Sequence, residues 1–367
     1  MSLAQVTPFK RLSRAQLPVS WYVDPAIYAL EQQVLFPHAP NYIGHELMVP
    51  NAGDYHTLEW MNHGKALVRN LEGIELISNV CRHRQAIMLK GKGHAPNIVC
   101  PVHRWTYDLK GELMGAPHFD EKPCLNLGKT PLQNWNGLLF NSKRNIADDL
   151  GKLGFLKDFD FGGFMLDRVM VDEYNFNWKT FIEVYLEDYH VAPFHPGLGN
   201  FVDCGDLKWE FGEWYSVQSV GVNRGLEKSG SPAYRRWQDH VLNYNNGTSP
   251  KYGAIWLVYY PFLMLEWYPH VLVVSHIIPR GPHACSNVVE FYYPEDIALF
   301  EREFIEAEQA AYMETAVEDE EICQRMHDGR KALHAQGQDE FGPYQHPMET
   351  GMEHFHLWIK SQLEPHL

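Results

Sequence analysis

Two Cys-His pairs constrain this chain more than any other feature. Cys81 and His83 are followed, after residues 84 to 99, by Cys100 and His103. Both pairs lie in a stretch, Asn41 to about Ser142, made of short segments such as GDYHTLEWM, KALVRNLEGIELISNV and NIVCPVHRWTYDLKGEL, separated by Gly, Pro and Asn. Short alternating runs with turn residues between them predict a small all-β domain. Two thiolates and two imidazoles in that setting fit a [2Fe-2S] cluster with the thiolates on one iron and the imidazoles on the other, an arrangement that raises the reduction potential. A structural Cys2His2 zinc site is the competing reading. Cys-x-His followed by Cys-x-x-His is unusual for zinc, and no finger helix carries the second pair. Trp105 and Tyr107 either shield the cluster or pack the core.

At 367 residues, with 45% hydrophobic and 13% aromatic content, the chain can bury two cores. Its formal charge of −15 argues against nucleic acid or an anionic membrane as partner, and the spread of the acids serves solubility. The most apolar stretch, Leu257 to Ile278, is interrupted by Pro261, Glu266, Pro269 and His270 and suits two buried strands better than a membrane span. The start, MSLAQVTPFKRLSRAQLP, has no apolar run long enough for a secretory leader and no lipidation motif, so a cytoplasmic protein is expected. Cys124, Cys204, Cys285 and Cys323 are too scattered for a disulfide framework and are expected as buried thiols. No Gly-rich nucleotide fingerprint is present, so electrons must come from a separate protein.

A second metal signal lies in NWKTFIEVYLEDYHVAPFHP, residues 177 to 196. Glu187, His190 and His195 are the ligand types of a non-haem ferrous ion. At about 100° per residue Glu187 and His190 share a helix face, whereas His190 and His195 lie about 140° apart. Pro193 is expected to break the helix between them. Around this run the pattern predicts a capped helix within residues 18 to 36, with Asp24 as N-cap and Pro25 in its first turn. A connector at 143 to 165 carries a short helix near Ala147 to Leu153, followed by a strand near Phe164 to Glu173. Strands at 254 to 294 precede a long helix from about Pro294 to His327. Residues 197 to 252, rich in Gly, Asn and Ser, are expected as mobile loops near a substrate entrance.

CRHR, CPVHRWTYDLKGEL and NWK…EVYLEDYHVAPFH together resemble the terminal oxygenase (alpha) component of the Rieske non-haem iron oxygenases. The resemblance runs from SWYVDPAIYALEQQVLF to GPYQHPMETGMEHFHLWI. It implies an α+β fold in which an all-β Rieske domain (41–145) is inserted near the N-terminus of a catalytic domain (146–367) built on a helix-covered antiparallel sheet. Residues 1–40 would supply a helix packing on the catalytic domain. It also implies a third iron ligand downstream, an acid followed four residues later by an apolar residue or Cys, which Asp319 and Cys323 match in VEDEEICQRMHDG. Helix geometry agrees independently. With Ile322 at zero, Asp319 falls at about 60°, between Cys323 and Met326, while Glu318, Glu320 and Glu321 turn toward the edges or solvent.

By the same resemblance Glu187 is a bridge and not a ligand, hydrogen-bonded to His190 and to the cluster ligand His103 of a neighbouring subunit. This implies a ring, usually a homotrimer. Many members carry aspartate at the bridge. Glu187 instead matches relatives resembling those that attack quaternary ammonium compounds, and Val184 replaces a frequent asparagine. The implied cofactors are a [2Fe-2S] Rieske cluster, mononuclear Fe(II) and O2 as cosubstrate, with electrons from a separate ferredoxin or NAD(P)H-dependent reductase. The expected reaction is hydroxylation or oxidative demethylation of a small aromatic or N-methylated molecule. Ring cis-dihydroxylation is the alternative, and an iron-sulfur electron-transfer protein without oxygenase activity is the alternative of another class.

Overall fold

The computed structural model describes residues 15–367, so the expectation of no leader lies largely outside the described residues. The described residues form two compact units, Pro40–Ile146 on the one hand and residues 15–39 with Ala147–Leu367 on the other.

The smaller unit is built of antiparallel strands. Five pair in the order Lys92–His94, Asp54–Thr57, Lys65–Arg69, Ile74–Ser78 and Lys129–Thr130, and three more, Ile98–Val99, Thr106–Tyr107 and Leu113–Gly115, form a second sheet. A third sheet pairs Tyr42–His45, Leu138–Phe140 and Gln133–Trp135. The core packs Ala66, Val68 and Ile77 against Cys81, Cys100, Trp105 and Tyr107. The two cysteines are thus part of the hydrophobic interior before any metal is considered.

The larger unit is organised by a seven-stranded sheet of β1 (Phe164–Tyr174), β2 (Val202–Phe211), β3 (Tyr215–Val222), β4 (Ala254–Tyr259), β5 (Leu263–Tyr268), β6 (Val271–Gly281) and β7 (Ala284–Pro294). All pairings are antiparallel, in the order β1-β7-β6-β5-β4-β3-β2. Its helices include α1 (Trp178–Val184), α2 (Val191–Phe194), α3 (Pro232–Tyr244), α4 (Arg302–Ala335) and α5 (Thr350–Leu363). β4, five of the six residues of β5 and the first seven of the eleven residues of β6 are buried. The apolar stretch from Leu257 to Ile278 therefore spans parts of three strands, one more than expected.

Three expectations need correction. Residues 197 to 252 are not loops: they hold β2, β3 and α3, the last capped by the Ser231 hydroxyl accepting the N–H of Tyr234. β2 was illegible because it is a polar edge strand with a register shift between Asp203 and Lys208, which destroys the alternation. The downstream helix is interrupted at Glu301 and then continues to Ala335, past Gly329. Tertiary contacts hold this extension: the guanidinium of Arg330 donates to Glu183 at 2.7 Å and to Thr180 at 2.8 Å. Finally, Cys124 is exposed and Cys204 half-buried, leaving Cys285 and Cys323 as the buried thiols among those four.

Near the N-terminus Asp24 caps Pro25–Leu30 as expected, accepting the N–H of Ala26. The following turn carries Glu31, fully buried, which accepts the indole N–H of Trp178 at 3.0 Å and the ammonium of Lys179 at 2.5 Å. Glu31 and Arg330 thereby pin α1 from two sides. α1 is the element that leads into the metal-ligand run.

Candidate active site

α1 stops at Val184, and Glu187 to His190 form a turn in which the Glu187 carboxylate accepts the backbone N–H of His190 at 3.1 Å. The acid and the imidazole meet across this turn, not along a helix face as expected. Pro193 does not break a helix either. It is the third residue of the single turn α2, where a missing N–H has no helical acceptor to lose. The turn is closed by Phe194 N–H to His190 O and His195 N–H to Val191 O, both at 3.0 Å. His190 precedes it and His195 leaves it with φ −103° and ψ 86°, so the two rings converge to a centroid separation of 4.9 Å.

Asp319 approaches from α4. Its Oδ1 lies 3.0 Å from His195 Nε2 and 3.5 Å from His190 Nε2. Nδ1 of His190 donates to Glu187, and Nδ1 of His195 donates to Glu318 at 2.7 Å. Each imidazole is thereby held with its proton on Nδ1 and the Nε2 lone pair toward Asp319. Glu318, expected at the edge of the helix or in solvent, is a positioning group instead. A face calculation alone could not find it, because the partner comes from another element.

The donor set fits a divalent ion. His195 Nε2 and Asp319 Oδ1 are buried and close, yet neither has a hydrogen-bond partner of acceptable geometry. They are aimed at a common point. His190, His195 and Asp319 also form the group among the described residues whose ligand atoms lie close enough to hold one metal ion. Three carboxylates around two neutral imidazoles leave excess negative charge that a dication would offset. In the metal-free protein, burial disfavours a charged His190, but the neighbouring Asp319 and Glu187 carboxylates raise its pKa to about 10.

The other four predicted ligands lie on two matching loops of the smaller unit. Cys81 N–H donates to Ala86 O and Gln85 N–H to Cys81 O, while Cys100 N–H donates to Trp105 O and Arg104 N–H to Cys100 O. Gln85 and Arg104 both adopt positive φ, at 54° and 61°. The loops share one backbone design and carry a histidine at Cys+2 in the first and Cys+3 in the second. The His83 and His103 rings are 4.6 Å apart. Trp105 stacks on His83 at 5.1 Å, and the Tyr107 hydroxyl lies 3.8 Å from Cys81 Sγ. Both aromatics thus do more than fill the core. Buried cysteines with a half-buried His83 and an exposed His103 give the pair a dry thiolate end and a wet imidazole end.

Beside His190, His195 and Asp319 opens a cavity of about 880 Å³, open solvent at its mouth included, walled by the inner face of the sheet, α1, α3 and α4. It is lined by six carboxylates, Asp172, Glu187, Asp188, Glu266, Glu308 and Asp319, and by no Lys or Arg. Tyr185, Trp237, Trp256, Tyr268 and Tyr312 supply apolar wall. Trp237 comes from α3, in the stretch expected to be loops. Asp188 is buried beside the Cys204 thiol, and neither of its oxygens has a partner of acceptable geometry. Gln218 Oε1 and Asn287 Oδ1 are likewise buried and unpaired. These unpaired oxygens are acceptors, and the indole N–H of Trp237 on the same wall is a buried donor that likewise has no partner among the described residues. Val184, in the position where an asparagine is frequent, also lines the cavity.

A family model described as ring hydroxylating alpha subunit (catalytic domain) matches residues 159–365, and one described as Rieske [2Fe-2S] domain matches residues 40–134. The chain belongs to the ring-hydroxylating oxygenase alpha subunits. This Rieske oxygenase is 64% identical over 352 residues to a putrescine 2-hydroxylase of Ralstonia nicotianae, covering 96% of both chains. It is 27% identical to the chloroplastic choline monooxygenase of Atriplex hortensis, over 95% of this chain and 78% of that one. Among solved structures, a quaternary ammonium Rieske monooxygenase superposes with a TM-score of 0.74 at 18% identity, over 96% of both chains. A naphthalene 1,2-dioxygenase of Rhodococcus sp. gives 0.70 at 19% identity, over 95% of both. The zinc reading of the Cys-His pairs is thereby displaced. As a terminal oxygenase of this family the chain is an oxidoreductase that works with a Rieske cluster, a mononuclear iron and O2, and that needs a reductase partner. No helix among the described residues is long and apolar enough to cross a membrane.

Proposed function

We propose that this Rieske oxygenase hydroxylates a short aliphatic diamine, with putrescine as the leading candidate. The observation that carries the reading is the cavity wall: six carboxylates, no Lys or Arg, and buried unpaired oxygens that await donors. An ammonium group offers three N–H donors and a full positive charge, and an aliphatic chain between two ammonium groups suits the aromatic walls. The name of the 64% identical relative points the same way. A neutral arene would leave the acids uncompensated, so ring dihydroxylation is the weaker reading. An electron carrier without oxygenase activity would have no use for the cavity.

Cys81, His83, Cys100 and His103 would hold the cluster, and His190, His195 and Asp319 the ferrous ion. The chemistry these groups supply is one-electron transfer and activation of O2. The balanced reaction takes R–H, O2, two electrons and two protons to R–OH and water. The chain's own groups position and exclude: Glu187 and Glu318 hold the protons on Nδ1 of His190 and His195, and the aromatic walls keep bulk water off the C–H bond. Glu187 also reaches His103 of a neighbouring copy in a homotrimer. Its support is the Glu187–His190 contact at one end and the exposure of His103 at the other.

The test is oxygen uptake by the protein loaded with cluster and iron and supplied with a reductase. Putrescine should stimulate uptake and yield a product heavier by one oxygen atom. If no amine in a panel of diamines, choline and N-methylated amines does so while an aromatic acid does, the diamine reading falls.

A further inference from the structure

The buried acids of the cavity far from the metal ligands have no role in the chemistry above. Glu308 is on α4, eleven residues before Asp319, and Tyr312 is seven before it. At about 100° and 1.5 Å per residue, Glu308, Tyr312 and Asp319 fall within about 40° of one another and span roughly 16 Å along the axis. One stripe of α4 therefore runs from the metal ligands to the far end of the cavity. Glu266, from β5, faces the same region. It accepts the hydroxyls of Tyr312 at 3.0 Å, Ser275 at 2.9 Å and Tyr268 at 2.9 Å.

Glu308 and Glu266 are essentially inaccessible in the free protein, and among the described residues no Lys or Arg lines the cavity beside them. The hydroxyls around Glu266 are neutral, so they satisfy its oxygens without offsetting its charge. Glu308 spends Oε2 on the Tyr293 hydroxyl, and its Oε1 accepts no hydrogen bond among the described residues. Burial, with the charge of Glu266 adding to it, pushes the Glu308 carboxyl up to about 8 against the pull of Tyr293. A pair of buried acids at one end of a cavity, with unpaired buried acceptors on Asp188 and Asn287 in the same cavity, is built for a ligand that brings positive charge and N–H donors.

We propose that Glu308, backed by Glu266, binds the ammonium of the substrate that lies away from the metal ligands, and so makes the cavity a gauge of diamine length. The proposal rests on the diamine reading and adds the residues that select for the second amine. Extended 1,4-diaminobutane spans about 6 Å between nitrogens at about 1.25 Å per bond. With one ordinary hydrogen bond of about 2.9 Å at each end it needs acceptors about 12 Å apart, within the length that α4 provides.

The test is calorimetric binding of 1,4-diaminobutane and 1-aminobutane to the oxidised holoenzyme, which needs no turnover. The wild-type protein should bind the diamine roughly 30-fold or more tightly than the monoamine, as expected for a buried charge-assisted contact. Glu308→Gln should shrink that ratio to about threefold or less, chiefly by weakening the diamine. Glu308→Asp draws the carboxylate back by about one bond length, so preference should move toward 1,5-diaminopentane. That shift is one a merely structural role would not produce. If the wild-type protein prefers the diamine and Glu308→Gln leaves the ratio intact, the anchor is elsewhere and the diamine reading stands. If the wild-type protein binds neither amine, both fall.

Discussion

Removing the carboxylate of Glu318 should loosen the mononuclear iron without touching any of its ligands. Glu318 accepts from His195 Nδ1 at 2.7 Å, a charge-assisted length, and fixes both the tautomer and the ring plane of that ligand. A hydrogen bond to a charged group contributes about 1.5–3 kcal/mol when shielded. Glu318 is one-quarter exposed, so the lower half of that range applies. About 1.5 to 2.2 kcal/mol is a factor of roughly 13 to 40 in iron affinity. Glu318→Ala should therefore raise the Fe(II) dissociation constant by that factor, read by competition with a chelator, while the visible spectrum of the cluster stays unchanged. Glu318→Gln, which can still accept from Nδ1–H, should recover much of the loss. Wild-type iron affinity in Glu318→Ala would mean that packing alone orients His195. Equal loss of cluster and mononuclear iron would mean a general folding defect.

Glu187→Gln should keep both metal centres yet slow single-turnover oxidation of the cluster by a factor of roughly 100 or more, on the scale of an essential positioning contact; unchanged cluster oxidation by stopped-flow would remove Glu187 from the electron path. Asp319→Ala should abolish mononuclear iron and leave two irons and two sulfides per chain, read by metal and sulfide analysis. Arg330→Ala removes the cation paired with the buried carboxylate of Glu183, which keeps the hydrogen bonds of Tyr22 and His356, and should lower stability by about 3 kcal/mol in urea unfolding, with α1 the first element to lose amide protection. For Glu308 the folded pKa of about 8 lies above the ordinary carboxylate value, so between about pH 4.5 and 8 the folded state holds the extra proton and its stability falls as pH rises. Glu308→Gln should remove up to about 1.4 kcal/mol per pH unit from that decline, and identical pH slopes for the two proteins would contradict the burial argument.

Metal chemistry was the most legible part of this chain. Cys81, His83, Cys100 and His103 announce themselves because few sites use that mixture of ligands at that spacing. His190, His195 and Asp319 follow from ligand type, resemblance and one helix-face calculation, and the described residues bring their ligand atoms together. The local backbone around them was not legible. Glu187 and His190 meet across a turn, and Pro193 sits harmlessly in α2, because a four-residue helix has no interior for a proline to disrupt.

What remained hidden depends on residues distant in sequence meeting one another. Glu318 looked like an edge residue because a helical wheel cannot know that His195 will stand beside it. The edge strand β2 and the cavity helix α3 were lost in a polar stretch, since burial on a folded sheet, not periodicity, gives those residues their places. Glu266 and Glu308 were two acids among 46 until β5 and α4 enclosed them in one cavity. The sequence by itself determined which side chains are proposed as metal ligands, because ligand chemistry is a property of the side chains. Only the tertiary structure decided which acids lost their water and became a site for a cation, because desolvation belongs to the packed fold and to no residue alone.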